Sequence, residues 1–263
     1  MDLKLNGMRA LVAGSSRGLG YAIARTLAVE GCRVAINGRD QKSLSQAAQK
    51  LLSDTGAEIM PLAGDVGQLD VSAQLLEQVV HTFGGLDLLV TNAGGPPSGK
   101  FECFDDSSWQ HAVEQSFLSH VRLIRAALPY LRQSKYASVV TMTSYSVKQP
   151  IPNLVLSNSI RAATVGLTKS LSQELGADGI RLNSILPGWT LTERVHDLMS
   201  YRAQNNGTSI DHEIALLTND IALGRMAEPQ EIANAVVFLL SPVASYITGV
   251  MLTVDGGIYK GTL

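Results

Sequence analysis

The chain has 263 residues, of which 45% are hydrophobic and 17% are charged, so it can bury a sizeable core. Its formal net charge of −2 gives no electrostatic basis for binding nucleic acid or an anionic membrane. The two cysteines, Cys32 and Cys103, form no CxxC pair, which argues against a disulfide framework and a zinc site. We find no signal-peptide pattern and no apolar run near the roughly 20 residues of a membrane span. We therefore expect a soluble, cytoplasmic protein without a metal.

Short apolar runs alternate with helical patterns along the chain. The runs predicted as strands are residues 8–13, 32–37, 59–63, 86–91, 139–143, 181–186 and 250–254. Helical patterns lie between them, the longest at 107–132. Apolar strands separated by amphipathic helices are typical of a parallel sheet covered on both faces. We predict an α/β protein with a Rossmann-type doubly wound sheet of about seven strands, folded as one domain over residues 1–263.

One region, at about 190–223, interrupts this alternation with polar residues and the sequence Asn205-Asn206-Gly207. In a doubly wound sheet, loops beyond the carboxyl ends of the strands line the ligand crevice. This region is therefore predicted to form a lid over a substrate, although a plain surface excursion fits the same pattern.

The first predicted strand ends in a glycine-rich turn, Gly14-Ser15-Ser16-Arg17-Gly18-Leu19-Gly20, which opens into a helix. Glycines let the backbone approach a phosphate closely, and a helix N-terminus offers free N–H groups and the positive end of its dipole. The alternative is a tight turn whose glycines only permit positive φ. The glycine spacing differs from the commoner G-x-G-x-x-G, so the turn alone does not identify its ligand.

Four further segments follow this turn along the chain: Asp65-Val66, Asn92-Ala93-Gly94, Pro187-Gly188 with Thr192, and Asp255-Gly256-Gly257. Together with the turn, they make the chain resemble a short-chain dehydrogenase/reductase over essentially its whole length. Ala13 replaces the first Thr of the family's TGxxxGxG turn, and Thr91 replaces the first Asn of its NNAG segment. In overall style the chain is similar to the 3-oxoacyl-thioester reductases of that family.

The resemblance implies a bound nicotinamide dinucleotide and a homo-oligomer, either a dimer or a homotetramer. In the family the oligomer forms through the long fourth and fifth helices, and the pattern at 107–132 carries Leu118, Val121, Leu123 and Ile124 as a candidate apolar face. The implied cofactor-binding residues are Gly14, Ser16, Arg17, Gly18, Leu19, Gly20, Arg39, Asp65, Val66, Asn92, Ala93, Gly94, Arg161, Pro187, Gly188 and Thr192.

The end of the second strand favours NADP over NAD. An acidic residue there would accept the ribose 2′-OH of NAD, whereas a nearby Arg accommodates the 2′-phosphate of NADP. Gly38 takes the acidic position, Arg39 follows it, and Arg17 lies in the glycine-rich turn. Asp40, 20 residues after Gly20, could serve the ribose instead. We interpret it as a helix cap, because it falls just before a helical pattern.

The catalytic positions are where the resemblance breaks. The family's proton donor is a Tyr four residues before a Lys, and here the aligned positions hold Ser157 and Arg161. Ser144 lies thirteen residues before Ser157, which is the family's spacing for the Ser that binds the substrate carbonyl. Ser116 stands where the family often has a catalytic Asn. The implied catalytic group is therefore Ser116, Ser144, Ser157 and Arg161.

These substitutions leave two functions open. A Ser hydroxyl is a far weaker acid than Tyr, and Arg stays protonated, so the pair cannot relay a proton as Tyr and Lys do. Tyr145 follows Ser144, but neighbours in an extended segment point to opposite faces, so we expect it to turn away. One function is an NADP(H)-dependent oxidoreductase acting on a small carbonyl or secondary alcohol, for which a 3-oxoacyl compound is one candidate. The other is a catalytically silent dinucleotide-binding sensor or scaffold.

Overall fold

A computed structural model describes residues 1–262. Its centre is a parallel sheet of seven strands in the order β3-β2-β1-β4-β5-β6-β7. The strand order reverses between β1 and β4, which creates the crevice typical of a doubly wound sheet and confirms the predicted fold class. The strands are β1 (Arg9–Val12), β2 (Arg33–Gly38), β3 (Ile59–Ala63), β4 (Leu88–Thr91), β5 (Ser138–Met142), β6 (Arg181–Pro187) and β7 (Met251–Val254).

Helices cover both faces of this sheet. One face packs against α1, α2 and α9, and the other packs against α3, α5 and α6. The helices are α1 (Gly18–Val29), α2 (Gln41–Thr55), α3 (Val71–Phe83), α4 (Asp106–Val113), α5 (Ser119–Leu131), α6 (Val155–Glu174), α7 (Glu193–Asn206), α8 (Ile210–Thr218) and α9 (Pro229–Leu240). Within residues 1–262, none of them has the length and apolar character that crossing a bilayer requires.

Strand β1 shows why the apolar runs are continuous rather than alternating. Ala10 and Val12 belong to the core on the α1 side, whereas Leu11 and Ala13 belong to the core on the α3 side. Successive side chains of a strand point to opposite faces, so a strand covered on both faces needs apolar residues at every position. The continuous apolar runs therefore mark the strands in the sequence and also indicate that helices cover both faces of the sheet.

The long helical pattern at 107–132 contains a break in its hydrogen bonding. Residues 114–118 form a π-helical turn between α4 and α5. Leu123 and Ile124 are buried against the sheet rather than exposed, while Leu118 and Val121 are only half-buried. The candidate apolar face for self-association is thus narrower than the sequence pattern indicated.

The region at 190–223 is mostly helical, because α7 and α8 occupy it. The Asn-Gly signal marks the end of α7, where Gly207 adopts φ +66°. Both helices contribute to an apolar cluster that contains Tyr145, Trp189, Met199 and Leu217. This cluster is separate from the cores on the two faces of the sheet, and it lies at the carboxyl end of β6.

Candidate active site

A cleft of about 800 Å³ runs along the carboxyl edge of the strands, and a cavity of about 340 Å³ adjoins it at the end of β2. Gly14, Arg17 and Arg39 line both. Two of the predicted site residues, Gly20 and Ser116, line neither space. The predicted residues that the structure brings together here are Gly14, Ser16, Arg17, Gly18, Leu19, Arg39, Asp65, Val66, Asn92, Ala93, Gly94, Ser144, Ser157, Arg161, Pro187, Gly188 and Thr192.

The glycine-rich turn is held by backbone packed directly on backbone. Gly14 has φ +57°, and a Cβ added there would lie 2.8 Å from the carbonyl oxygen of Asn92. A Cβ on the buried Gly20 would collide with the carbonyl oxygen of Gly14. Asn92 Nδ2 donates a hydrogen bond of 3.0 Å to that same carbonyl oxygen. Gly20 therefore shapes the turn from behind, and its glycine identity is a packing requirement.

Two residues that sequence reasoning missed fix this turn to β2 and β3. Ser15 Oγ donates to the carbonyl oxygen of Val12 at 2.6 Å and accepts from the backbone N–H of Asn37 at 3.0 Å. Asn37 Nδ2 donates to the carbonyl oxygens of Leu62 and Gly64, each at 3.0 Å. Asn37 is buried, and a buried amide needs such partners. A polar residue inside the apolar run 32–37 was the available signal.

At the end of β2, Arg39 has no ion-pair partner among the described residues, whereas the Asp40 carboxylate is already hydrogen-bonded. Asp40 Oδ1 accepts hydrogen bonds from Ser43 N at 2.8 Å and Ser43 Oγ at 2.6 Å, which confirms it as the N-cap of α2. These bonds hold the pKa of Asp40 below its usual value. Arg39 is exposed and forms no ion pair within residues 1–262. A Cβ at Gly38 would lie 3.1 Å from Ser16 Cβ, so an acidic side chain would be crowded there.

Arg17 joins the glycine-rich turn to the lid region. Its Nη1 lies 2.6 Å from Glu193 Oε2, at the start of α7, and both side chains are largely exposed. Exposed ion pairs contribute little stability, about 0–1 kcal/mol. The pair is therefore weak enough for a phosphate to displace Glu193 from Arg17.

Asp65 is oriented by a residue that the sequence analysis did not single out. Gln115 Nε2 donates to Asp65 Oδ1 at 3.0 Å, and the backbone N–H of Gly67 donates to the same oxygen at 3.0 Å. Gln115 belongs to the π-helical turn and lines both the cleft and the cavity. The turn thus reaches into the site, as π-helical turns frequently do at functional positions.

Ser157 and Arg161 form a hydrogen-bonded pair one turn apart on α6. Arg161 Nε donates to Ser157 Oγ at 3.1 Å, and Nη1 donates to the carbonyl oxygens of Met142 and Thr143 at 3.2 and 2.9 Å. Burial, with a smaller contribution from the charge of Arg194, lowers the pKa of Arg161 to about 10. Arg161 therefore remains a cation near neutral pH and holds Ser157 from its acceptor side.

Ser144 is oriented in the same sense. Its Oγ accepts a hydrogen bond of 3.1 Å from the backbone N–H of Ser146. A hydroxyl that accepts from the protein keeps its own proton available for donation. Ser144 and Ser157 both line the cleft, so each can present an O–H donor to it.

Ser116 lies behind the cleft rather than in it. It is buried in the π-helical turn, and its Oγ donates to the carbonyl oxygen of Gly94 at 3.1 Å. Thr164 Oγ in turn donates to the carbonyl oxygen of Ser116 at 3.2 Å. The structure thus places Ser116 as a support for Gly94, next to Asn92, and not as a wall of the cleft.

Tyr145 lines the cleft, contrary to the expectation that it would turn away. That expectation assumed extended backbone, but residues 145–147 form a 3₁₀ turn. The Tyr145 hydroxyl accepts a hydrogen bond of 3.1 Å from Trp189 Nε1, and burial raises the pKa of the phenol. Together Tyr145 and Trp189 form an apolar wall of the cleft.

A family profile described as Enoyl-(Acyl carrier protein) reductase matches residues 13–259. The chain belongs to the short-chain dehydrogenase/reductase family. Among curated members, 3-oxoacyl-[acyl-carrier-protein] reductase FabG of Staphylococcus epidermidis is 30% identical over 95% of this chain and 98% of its own length. This chain is accordingly an oxidoreductase by family.

Two solved short-chain dehydrogenase/reductase structures are similar to this chain over nearly all of its length. L-Sorbose reductase from Gluconobacter frateurii, complexed with NADPH and L-sorbose, has a TM-score of 0.95 and 32% identity, covering 99% of this chain and 100% of its own. An NADPH-bound short chain oxidoreductase from Pseudomonas aeruginosa PAO1, described as containing an atypical catalytic center, has a TM-score of 0.89 and 30% identity, covering 98% and 100%.

Proposed function

We propose that this protein is an NADP(H)-dependent oxidoreductase that acts on a small carbonyl or secondary alcohol through Ser144, Ser157 and Arg161. The observation that carries the proposal is the hydrogen bond of 3.1 Å from Arg161 Nε to Ser157 Oγ. It turns the proton of Ser157 away from Arg161 and places a positive charge directly behind the hydroxyl. A substrate oxygen bound by the two serines would therefore be stabilised as negative charge develops on it.

The residues at the other end of the cleft fit a dinucleotide phosphate. The turn at Gly14 and Gly18 leaves backbone N–H groups at the N-terminus of α1, and no side chain fills the space beside Gly94. Arg39, with Arg17, would hold the 2′-phosphate, because Arg binds phosphate in a bidentate manner. The NADPH complexes of L-sorbose reductase and the P. aeruginosa enzyme support this assignment. When bound, the nicotinamide supplies hydride transfer.

The protein's own residues supply polarisation but no relayed proton. Ser144 and Ser157 would donate hydrogen bonds to the reacting oxygen. One of the two N–H groups of Arg161 Nη2 would hold a ribose hydroxyl, which leaves the other for a further acceptor. Arg does not release a proton at working pH, so water must deliver the proton to the product alkoxide. Losing a positioned general acid lowers the rate by about 10²–10⁴-fold. From this arrangement we expect intact cofactor binding and a low kcat.

Helices α7 and α8 would cover the substrate, as a lid does. Val195, Leu198 and Tyr201 of α7 line the same cleft as Ser144 and Ser157. The resemblance to 3-oxoacyl-thioester reductases makes a 3-oxoacyl compound one candidate substrate. Assembly as a dimer or tetramer stays a prediction, which size-exclusion chromatography at several concentrations would test.

The decisive experiment measures NADPH consumption across a panel of carbonyl compounds. Wild-type protein should turn over at least one class, and Ser157→Ala should lower kcat by about 10²–10³-fold without changing the Kd for NADPH. Ser159→Ala, on the exposed side of α6, is the matched control and should behave as wild type.

A second variant separates the enzyme from a silent dinucleotide-binding protein. Ser157→Tyr combined with Arg161→Lys restores the usual residue types of the family. In an enzyme with an altered mechanism, this double change should reduce the measured activity. Absence of turnover in the wild type, with NADPH bound and with activity created by the double change, would instead establish a sensor or scaffold.

A further inference from the structure

Two guanidinium groups meet in the cleft at Gly95. A Cβ placed on Gly95 would lie 2.7 Å from Arg194 Nη2 and 3.2 Å from Arg161 Nη2. Arg194 donates from Nη1 to the carbonyl oxygen of Gly95 and from Nη2 to that of Pro96, each at 3.0 Å. The two side chains come from α6 and α7, and both reach the loop after β4.

Neither cation is neutralised by the protein. Within residues 1–262, Arg161 and Arg194 form no ion pair with a carboxylate, and Arg161 Nη2 makes no hydrogen bond. Of the acidic residues that line the cleft, Glu193 is already paired with Arg17, and Asp197 is exposed without an ion pair. Two positive charges therefore share the cleft with N–H groups to spare.

The charge of Arg194, an exposed residue that donates to two carbonyl oxygens, is unfavourably placed in two respects. It is the second residue of α7, and a positive charge in the first turn opposes the helix dipole. It also faces another cation, and each positive charge disfavours its neighbour. Where a sequence breaks such local rules, the cause is often functional. An anion bound between the two side chains would remove both penalties.

We propose that Arg194 and Arg161 Nη2 bind a carboxylate of the substrate, so that the enzyme acts on oxo acids or hydroxy acids. The inference rests on the proposed function and names its substrate class. Arg161 also holds Ser157, so a carboxylate on its Nη2 lies within a few bonds of the carbonyl that the serines polarise. The planar guanidinium groups match the two oxygens of a carboxylate. Tyr145, Ile151 and Trp189 give the rest of the substrate an apolar wall.

The test compares oxo acids with their methyl esters, with the carboxyl group one, two or three carbons from the carbonyl. For the best-fitting pair, wild type should prefer the acid by about 10- to 100-fold in kcat/KM. Arg194→Gln should abolish this preference by lowering the value for the acid alone, and Arg194→Lys should restore part of it. Lys50→Gln, which removes an exposed charge on α2, should retain the preference. If Arg194 only holds the loop at Gly95, Arg194→Gln should lower kcat/KM equally for the acid and for the ester.

Two further measurements separate the ways in which the proposal can fail. If Arg194→Gln weakens NADPH binding and leaves the acid-to-ester ratio unchanged, the anion is the diphosphate of the cofactor and the proposal is wrong. If esters react as well as acids in the wild type, the proposed oxidoreductase activity is supported and the carboxylate site is rejected. If no substrate is turned over, calorimetric titration of the oxo acid into the NADP⁺ complex tests the carboxylate site separately. Binding of the acid by the wild type, and its loss in Arg194→Gln, would then support the site although the proposed reaction fails.

Discussion

The two ends of the cleft hold their residues in different ways. At the glycine-rich turn, backbone contacts backbone: Gly14 packs on the carbonyl of Asn92, and Gly20 packs on the carbonyl of Gly14. At the proposed catalytic end, side chains contact side chains, as in the hydrogen bond from Arg161 to Ser157. A single substitution can exchange a side chain without moving the backbone, but it cannot add a Cβ where a carbonyl already lies. Packing therefore fixes the glycines at the first end, whereas a residue at the second end can change type without a change of fold.

The largest effect should follow a change at the backbone-packed end. Gly20→Val should abolish NADPH binding and lower Tm, because its Cβ would overlap the carbonyl of Gly14. Fluorescence titration with NADPH and thermal unfolding measure both effects. Gly166→Ala, on α6 with open space around it, is the control and should raise stability by about 0.5–1 kcal/mol. Normal NADPH binding by Gly20→Val would show that the turn is not the cofactor cradle.

The side-chain end should respond in rate rather than in binding. Ser144→Ala should lower kcat by about 10²–10³-fold, as loss of one preorganised donor does, with the Kd for NADPH and Tm little changed. Steady-state kinetics on the best substrate measure the change. Ser72→Ala, which removes a buried hydroxyl without a hydrogen-bond partner in residues 1–262, serves as the control on α3. A change below twofold in Ser144→Ala would remove Ser144 from the catalytic group.

His120, on α5, is buried against the end of β4. Its Nδ1 is 2.6 Å from Thr91 Oγ, and burial, with a smaller contribution from the charge of Arg161, lowers its pKa to about 3. Because this folded-state pKa lies below the unfolded value of about 6.5, the histidine's contribution to stability is present above pH 6.5 and is lost as pH falls toward 3. By pH 5 the loss should be about 2 kcal/mol.

Chemical denaturation between pH 7.5 and 5 tests this dependence. His120→Gln should be less stable at neutral pH and should show a flatter decline over the same interval. An equal slope in both proteins would assign the acid sensitivity to other groups.

The smallest effect should come from the exposed cation at the end of β2. Arg39→Ala should raise the KM for NADPH about tenfold and leave that for NADH unchanged, because only NADPH carries the 2′-phosphate. Initial rates with each cofactor measure the ratio. An equal change for both cofactors would assign Arg39 to the adenosine rather than to the phosphate.

The parts of the molecule that follow from local pattern could be predicted from the sequence. Apolar runs located the strands, because a sheet covered on both faces needs apolar residues at every strand position. The spacing of Ser144, Ser157 and Arg161 predicted side chains that line one cleft, because Ser144 follows β5 and the other two lie one turn apart on α6. The cap at Asp40 followed from its place before a helical pattern.

The parts that depend on tertiary contact could not be predicted. Arg194 meets Gly95 from 99 residues away, and no local pattern records that contact. Helix α7 was missed because Met199 and Ala203 are its only buried residues, which gives too few apolar positions for a helical period. The resemblance implies a catalytic role for Ser116, whereas the π-helical turn places its hydroxyl on the carbonyl oxygen of Gly94, behind the cleft.

The π-helical turn at 114–118 constrains the number of residues between α4 and α5. Residues before it, such as Trp109 and Val113, face α6, whereas Leu123 and Ile124 after it face the sheet. The turn holds one residue more than an α-helical turn would, and that residue sets the rotation between these two faces. Deleting one residue would rotate everything beyond it by about 100° and turn one set of apolar side chains into solvent. Insertions and deletions, more than substitutions, are what this helix cannot accept.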